Sequence, residues 1–317
     1  MPDQLRETLR PMLRPVVRRL RGRRPAPARG PRVAVLTVAR DEGDMLHRWV
    51  GYYGGQVGVE NLIVFDDNSS DGSTDRLPCT VQRIPGFRPG RFEASRIKLV
   101  SGVAQGLLQT YDVVVFTDVD EFIIPDPKLH DGLRPYLRAR REVPVLAPLA
   151  LNVVHHPGLE GPLHPSRPIL GQRSFAKFAP VMCKPALKRV SSPWAAASHG
   201  VMAPYQPDPE LFMVHFKFAD QDALRRQADR RNAMAMSEGR GKNSSWSETG
   251  QDLVDLVAQA TAGVRREDVP EFDPTTVDLS TLVIQEGDLY RAPRQGQVRV
   301  LKRSPLVRVP ERLHGIV

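Results

Sequence analysis

Cysteine is scarce in this sequence, and long apolar runs are missing. The 317 residues include two cysteines, Cys79 and Cys183. Two are too few for a disulfide framework or a cysteine-based zinc site, and they are typical of a reduced, cytoplasmic setting. The longest stretch without Asp, Glu, Lys or Arg, residues 190–207, contains three prolines and does not predict a membrane span. Because the N-terminus also lacks the apolar core of a secretory signal, we expect a cytoplasmic protein.

Glycine-rich phosphate-binding loops are absent as well. The Rossmann fingerprint Gly-x-Gly-x-x-Gly does not occur. Residues 239–244 depart from a Walker loop, because Met236 stands where the first glycine belongs and Asn243 where Ser or Thr belongs. No glycine follows the first predicted strand until Gly43. These absences count against a dinucleotide-binding protein, a P-loop protein and a nucleotidyltransferase.

The formal net charge of +9 is concentrated at the N-terminus. Residues 1–32 hold ten arginines against Asp3 and Glu7, so they carry +8 and the remaining 285 residues carry +1. A nearly neutral body counts against nucleic-acid binding. Apolar residues at helical spacing among the arginines are typical of a peptide on an anionic membrane surface, but Pro11 and Pro15 oppose a helix. Residues 1–31 are thus a basic arm and Pro-rich linker, either disordered or in peripheral contact with the inner face of the membrane.

Strand and helix patterns alternate from residue 32 onward. The predicted strands are residues 33–39, 61–65, 80–84, 112–117, 145–154 and 211–216. The predicted helices are residues 44–53, 92–109, 133–141, 220–238 and 251–262. This order predicts an α/β fold with a mainly parallel sheet flanked by helices. We place the main domain at residues 32–240 and a less regular C-terminal extension, helical and then irregular, at residues 241–317.

Three polar clusters follow strands of this predicted sheet. They are residues 37–42 (TVARDE), 66–73 (DDNSSDGS) and 117–122 (TDVDEF). Ligands bind beyond the carboxyl ends of strands in such sheets, so we expect the clusters to converge. In the third cluster Asp118, Asp120 and Glu121 repel one another unless a cation is near, and hard divalent cations prefer carboxylate oxygens. The second cluster predicts a pocket that accepts hydrogen bonds from a base or ribose, or only an Asx-rich turn that caps a helix.

The three clusters, in this order and spacing, resemble glycosyltransferases of the GT-A (Rossmann-like) fold. They are most similar to the family-2-like group that includes glycosyltransferase family 92. Later segments resembling that group are residues 149–152 (LALN), 198–200 (SHG) and 215–217 (HFK), with Lys177 and Lys184. The resemblance spans residues 32–235. Asp41 departs from the pattern, in which Asn is usual.

The resemblance implies roles for the matching residues. Those that would contact a nucleotide-sugar donor are Thr37, Arg40, Glu42, Asp67, Lys98 and Asp118. Those that would hold a divalent cation, manganese or magnesium, are Asp118 and Asp120, completed by His199 or His215. Asp67 would face the base or ribose, and Lys98 would meet a phosphate or the donor sugar.

The implied reaction moves a hexose from a nucleotide-diphosphate sugar to a hydroxyl of a glycan, a lipid-linked sugar or a small molecule, with inversion. The anomeric C–O bond breaks with oxocarbenium character, a metal ion and basic side chains stabilise the leaving diphosphate, and a base takes the acceptor proton. Glu121 and Asp120 are the first candidates for catalysis. Further candidates for the base are Asp208, Glu210, Asp220 and Asp222.

Other classes of protein explain less of the sequence. A dehalogenase-type phosphatase carries Asp-x-Asp after its first strand, whereas here the motif follows about the fourth. A nucleotide-sugar-binding or phosphotransfer protein of similar α/β fold stays open as an alternative. A non-enzymatic membrane-surface module led by the basic arm leaves three acidic clusters unexplained.

Overall fold

The computed structural model describes residues 30–88, 90–238 and 248–317. The predicted basic arm lies outside the described residues apart from Gly30 and Pro31, and so do residues 239–247. Among the described residues, no helix has the length and apolarity needed to cross a membrane.

The helices and strands follow the predicted alternation closely. The strands are β1 Val33–Ala39, β2 Leu62–Asp66, β3 Thr80–Arg83, β4 Val113–Phe116, β5 Glu121–Pro125, β6 Val145–Val154, β7 Phe175–Phe178, β8 Leu187–Lys188, β9 Trp194–Ala195, β10 Gly200–Val201, β11 Gln206–Phe218, β12 Ile284–Glu286, β13 Leu289–Arg291 and β14 Leu306–Arg308. The α-helices are α1 Asp44–Val57, α2 Phe92–Leu107, α3 Leu133–Ala139, α4 Gln221–Glu238, α5 Gly250–Thr261 and α6 Gln297–Arg303.

The main sheet is mixed, with a parallel part that contains the first strands. Its order is β14-β7-β6-β8-β4-β1-β2-β3, and β11 pairs with both β6 and β5. Strand β1 runs parallel to β2 and β4, β2 runs parallel to β3, and β6 runs parallel to β11. The pairs of β5 with β11 and of β8 with β4 are antiparallel. The predicted α/β fold is confirmed.

Helices cover both faces of the parallel strands. Val33 and Val35 of β1 join the core on the side of α1, where Trp49 is fully buried. Leu36 belongs to the core on the opposite side, with Val100 of α2. A strand buried on both faces needs apolar residues at nearly every position, which is why β1, β2 and β4 appear as continuous apolar runs.

Several strands were not evident from the sequence patterns. Strand β5 begins at Glu121, inside the acidic cluster, and its antiparallel pairing with β11 puts His215 opposite Glu121. Strands β8, β9 and β10 have two residues each, too few for a periodic pattern. Strands β9, β10, β12 and β13 form a second, smaller sheet. Within the predicted C-terminal extension, β14 joins the edge of the main sheet against β7.

Candidate functional site

The carboxyl ends of β1, β2 and β4 lie side by side at one edge of the sheet. Ala39 pairs with Asp66 across β1 and β2, and Leu36 pairs with Phe116 across β1 and β4. The polar cluster that follows each strand therefore borders one cavity, whose volume is about 250 Å³. The sequence-predicted site residues that line it are Arg40, Glu42, Asp67, Asp118, Asp120, Glu121, His199 and His215.

Two predicted site residues lie outside this cavity. Thr37 is fully buried in β1, and its Oγ1 has no hydrogen-bond partner among the described residues. Lys98 is exposed on α2, whereas Arg96 is buried and lines the cavity. Arg96 starts an inward stripe that continues with Val100 and Ala104 at four-residue spacing. That spacing is the signal that favours Arg96 over Lys98.

Asp41 links the first polar cluster to the second. Its φ of 53° lies in the left-handed region, which Asp and Asn tolerate better than most residues. Its Oδ1 accepts hydrogen bonds from the backbone N–H groups of Ser70, at 2.7 Å, and Asp71, at 3.1 Å. An asparagine Oδ1 would accept the same two bonds, so Asp in place of the usual Asn preserves this link.

The first two carboxylates of the second cluster have different surroundings. Asp66 Oδ1 accepts from the backbone N–H of Ser69 at 2.7 Å, which stabilises the turn itself. Asp67 reaches the cavity, where its Oδ1 accepts from the backbone N–H of Phe87 at 2.9 Å and its Oδ2 lies 3.9 Å from Arg40 Nη1. Asp66 therefore belongs to the turn, and Asp67 is the carboxylate that faces the cavity.

Asp118 is held by basic side chains. Arg96 Nη1 donates to Asp118 Oδ1 at 2.5 Å, and Lys184 Nζ lies 3.9 Å from Asp118 Oδ2. Burial raises the pKa of Asp118, but Arg96 and Lys184 outweigh that effect and hold the pKa of this carboxyl well below its ordinary value. Asp118 is thus an anion whose charge the protein itself largely compensates.

Glu121 is fully buried, and both of its carboxylate oxygens are engaged. Its Oε1 accepts from Lys184 Nζ at 2.6 Å, and its Oε2 accepts from the backbone N–H of Asp118 at 2.9 Å. Burial lowers the pKa of Lys184, but the carboxylates of Glu121 and Asp118 outweigh it and raise that pKa above its ordinary value. Glu121 therefore anchors the turn of residues 118–121. This geometry does not fit the catalytic role that the sequence predicted for it.

Asp120 faces His215 across the cavity. His215 Nε2 lies 3.4 Å from Asp120 Oδ2, and His215 Nδ1 lies 2.8 Å from Asn152 Oδ1. Because Asn152 Nδ2 donates to Gln297 Oε1 at 2.6 Å, its Oδ1 is the acceptor and His215 Nδ1 carries the hydrogen. In a neutral ring, Nε2 and Asp120 Oδ2 then present lone pairs to each other. That arrangement calls for a proton or a cation between them.

The side chains of Asp120 and His215 are placed to act as two ligands of one divalent cation. The 3.4 Å between His215 Nε2 and Asp120 Oδ2 suits two atoms that each lie about 2.1 Å from one ion. Asp118 is turned toward Arg96 instead. The described part of the chain has no group of three or more His, Cys, Asp or Glu side chains placed to hold a metal ion. A cation here would take its other ligands from water and from a bound molecule.

His199 lines the same cavity as His215, but its ring has a different hydrogen-bond partner. Its Nδ1 lies 2.6 Å from the carbonyl oxygen of Val181, so Nδ1 donates a hydrogen bond and Nε2 carries no hydrogen. Burial lowers the pKa of His199 to about 4, and the charge of Lys184 acts in the same direction. His199 is therefore a neutral ring whose Nε2 is an acceptor.

None of the alternative bases named from the sequence lines this cavity. Asp208 accepts from Tyr136 at 2.9 Å and from Arg140 at 2.7 Å, and Glu210 pairs with the same arginine. At roughly 3.3 Å per residue, Asp208 lies about 20 Å along β11 from His215. Asp220 accepts from the backbone N–H of Ala223 at 2.9 Å, next to the start of α4, and Asp222 is exposed on that helix.

Comparisons with known proteins give likenesses among solved structures only. No family model matches the chain, and no curated protein does. The chain is similar to mannosyltransferase PcManGT from Pyrobaculum calidifontis in complex with GDP-Man and Mn²⁺, at 19% identity over 39% of this chain and 36% of that one, with a TM-score of 0.27. It is also similar to glucosyl-3-phosphoglycerate synthase from Mycobacterium tuberculosis in complex with phosphoglyceric acid, at 20% identity over 38% of this chain and 44% of that one, with a TM-score of 0.27.

A third likeness is longer but weaker in sequence. Mannose-1-phosphate geranyltransferase from Thermus thermophilus matches at 10% identity over 88% of this chain and 73% of that one, with a TM-score of 0.28. The match covers less than half the length of each of the first two structures. At these TM-scores none of the three identifies what this chain does.

Proposed function

We propose that this chain is a GT-A type glycosyltransferase that moves a hexose from a nucleotide-diphosphate sugar to an acceptor hydroxyl, with inversion and with a divalent cation. The observation that carries the proposal is the convergence of Arg40, Asp67 and Asp120, one from each polar cluster, on the cavity that also contains His215. A nucleotide-diphosphate sugar needs hydrogen-bond acceptors for its base or ribose and positive charge for its diphosphate. The cavity offers both.

The donor's nucleoside end would lie at Asp67. Its carboxylate faces the cavity and is already oriented by the backbone N–H of Phe87. A carboxylate in that position accepts hydrogen bonds from a ring N–H or from ribose hydroxyls. Arg40, beside it, would balance the charge of the carboxylate or contact a phosphate.

The donor's diphosphate would lie between Asp120 and the basic residues of the cavity. Asp120 and His215 would hold the cation, with phosphate oxygens and water as its other ligands. Charge that develops on the departing diphosphate would be offset by that divalent cation. Lys217 and Arg231 also line the cavity and add positive charge to its wall. Burial lowers the pKa of Lys217 to about 8, which still leaves it protonated at neutral pH.

A thermal-shift panel of nucleoside diphosphates and nucleotide sugars, each with and without manganese, tests this proposal. A ligand that binds only the folded chain at 100 times its Kd adds about 2.7 kcal/mol of stability, which raises Tm by several degrees. We expect one nucleotide family to give this shift, and to give most of it only with manganese. Asp120→Asn should lose the manganese-dependent part while keeping the parent Tm without ligand.

The matched control is Asp222→Asn, which removes an exposed carboxylate from α4 and should keep the full response. A panel without any nucleotide-dependent shift would rule out the proposed function. A response of Asp120→Asn equal to that of the parent would rule out the assignment of the cation.

A further inference from the structure

A second cavity of about 340 Å³ adjoins the first. Its polar wall comes from the loops after β1, β2 and β11, from α1 and from α4, and includes Asp44, Arg48, Asp71, Asp220, Arg226 and Arg230. The wall thus carries both carboxylates and guanidinium groups. Such a wall suits a molecule rich in hydroxyl groups, because a hydroxyl both donates and accepts hydrogen bonds.

Three side chains line both cavities: Glu42, Asp120 and Lys217. Asp120 Oδ2 lies 3.4 Å from His215 Nε2, and the proposed function assigns this pair to the cation. Lys217 carries an amine and not a carboxylate. Glu42 is therefore the carboxylate at the junction that is not already committed to a cation or a buried pair.

The carboxylate of Glu42 is oriented but not saturated. Gln227 Nε2 of α4 donates to Glu42 Oε2 at 3.2 Å. Within the residues that the structure describes, Glu42 Oε1 has no hydrogen-bond donor. One oxygen thus fixes the side chain, and the other is open to a ligand at the junction.

We infer that Glu42 is the general base of the transfer reaction and that the second cavity holds the acceptor, an inference that rests on the proposed function. The acceptor hydroxyl gives its proton to Glu42 Oε1 as its oxygen bonds to the anomeric carbon. The bond from that carbon to the diphosphate oxygen breaks, and the electron pair leaves with the nucleoside diphosphate. A hydroxyl that enters from the second cavity meets base and donor together only at this junction.

The charges around Glu42 agree with this role. Burial raises its pKa to about 7; Arg231 opposes the rise, Asp120 and Asp118 reinforce it, and Arg230 opposes it weakly. Lys217 is the remaining charged group that lines both cavities with Glu42. Burial thus favours the uptake of a proton by Glu42, which is the step that a general base performs.

The test uses Glu42→Gln in the full chain, with the nucleotide sugar that the thermal-shift panel selects and water as the acceptor. Glutamine keeps the size of the side chain but cannot take a proton. We expect hydrolysis of the donor to fall by about 100-fold or more, with the Kd for the donor and manganese within threefold of the parent value. Glu267→Gln, at an exposed glutamate that lines neither cavity, serves as the matched control and should hydrolyse the donor at the parent rate.

Sodium azide separates the loss of a base from a general loss of the site. Azide is an anionic nucleophile that needs no proton removed, so it should restore turnover of Glu42→Gln and yield the glycosyl azide. Parent-like hydrolysis by Glu42→Gln would overturn the inference, and so would loss of donor binding, which would make Glu42 a donor-binding residue. If the parent binds no nucleotide sugar, the proposed function fails and this inference fails with it.

Discussion

At the scale of single residues, a buried ion pair stabilises the turn of residues 118–121, which we call the acidic turn. Lys184 and Glu121 are each no more than 2% exposed, and their charged atoms lie 2.6 Å apart. Removing one partner leaves the other charge buried without compensation, which costs more than the pair contributes when both are present.

Lys184→Met should therefore lower the free energy of unfolding by about 3–5 kcal/mol. The double variant Glu121→Gln with Lys184→Met should recover part of that loss, because the uncompensated charge is gone. Urea denaturation of the parent, both single variants and the double variant measures the coupling. Strictly additive losses would contradict a direct interaction between these two side chains.

His199 gives a pH-dependent prediction at the same scale. Its pKa is about 4 in the folded chain, against an ordinary value near 6.5. Between these values the unfolded chain binds more protons, so this residue makes stability fall as pH drops from 6.5 toward 4. In His199→Gln the decline over that range should be shallower. Equal slopes for variant and parent in chemical denaturation at several pH values would show that the ring is not held neutral.

At the scale of elements, helix α2 presents Arg96 to the acidic turn and leaves Lys98 in solvent. Arg96→Gln removes the cation nearest Asp118, so it should lower Tm by several degrees and weaken donor binding. Lys98→Gln, two residues away, should change neither. Thermal denaturation and calorimetric titration with the donor would compare the two variants. A strong effect of Lys98→Gln on donor binding would instead support the contact between Lys98 and the donor that the sequence resemblance implied.

The elements also show what could be predicted from sequence. Strands β1, β2 and β4 were predictable because burial on both faces leaves continuous apolar runs. The polar residues after these strands predicted most of the cavity lining, because parallel strands end at one edge of the sheet. Strand β5 was not predictable, because it begins with a buried glutamate. The charge of Glu121 is compensated by Lys184, which lies 63 residues later in the chain. The four-residue spacing places Arg96 on the buried face of α2, but its contact with Asp118, 22 residues later in the chain, follows only from the fold.

At the scale of the whole molecule, the charge separates into a basic arm and a nearly neutral body. Residues 1–32, which are the arm and Arg32, carry +8, and each basic residue near an anionic surface contributes about 1 kcal/mol. We expect removal of residues 1–30 to abolish binding to vesicles that contain anionic lipid and to leave donor binding intact. Vesicle sedimentation at increasing salt measures this, because screening should weaken binding by the full chain. Equal sedimentation of the truncated chain would show that the arm does not bind the lipid surface.

The acidic turn has a consequence for the motions of the site. The backbone N–H of Asp118 donates to Glu121, and the backbone N–H of Phe216 donates to the carbonyl of Asp120, so both amides are tied to the paired strands β5 and β11. Their hydrogens should exchange with solvent only when the main sheet opens, whereas the amides of Ser70 and Asp71, held by the partly exposed Asp41, should exchange through local opening. A ligand would then slow exchange in the loops and leave the turn unchanged. The conformational entropy lost on binding would fall on the loops alone, because the turn is already ordered in the free protein.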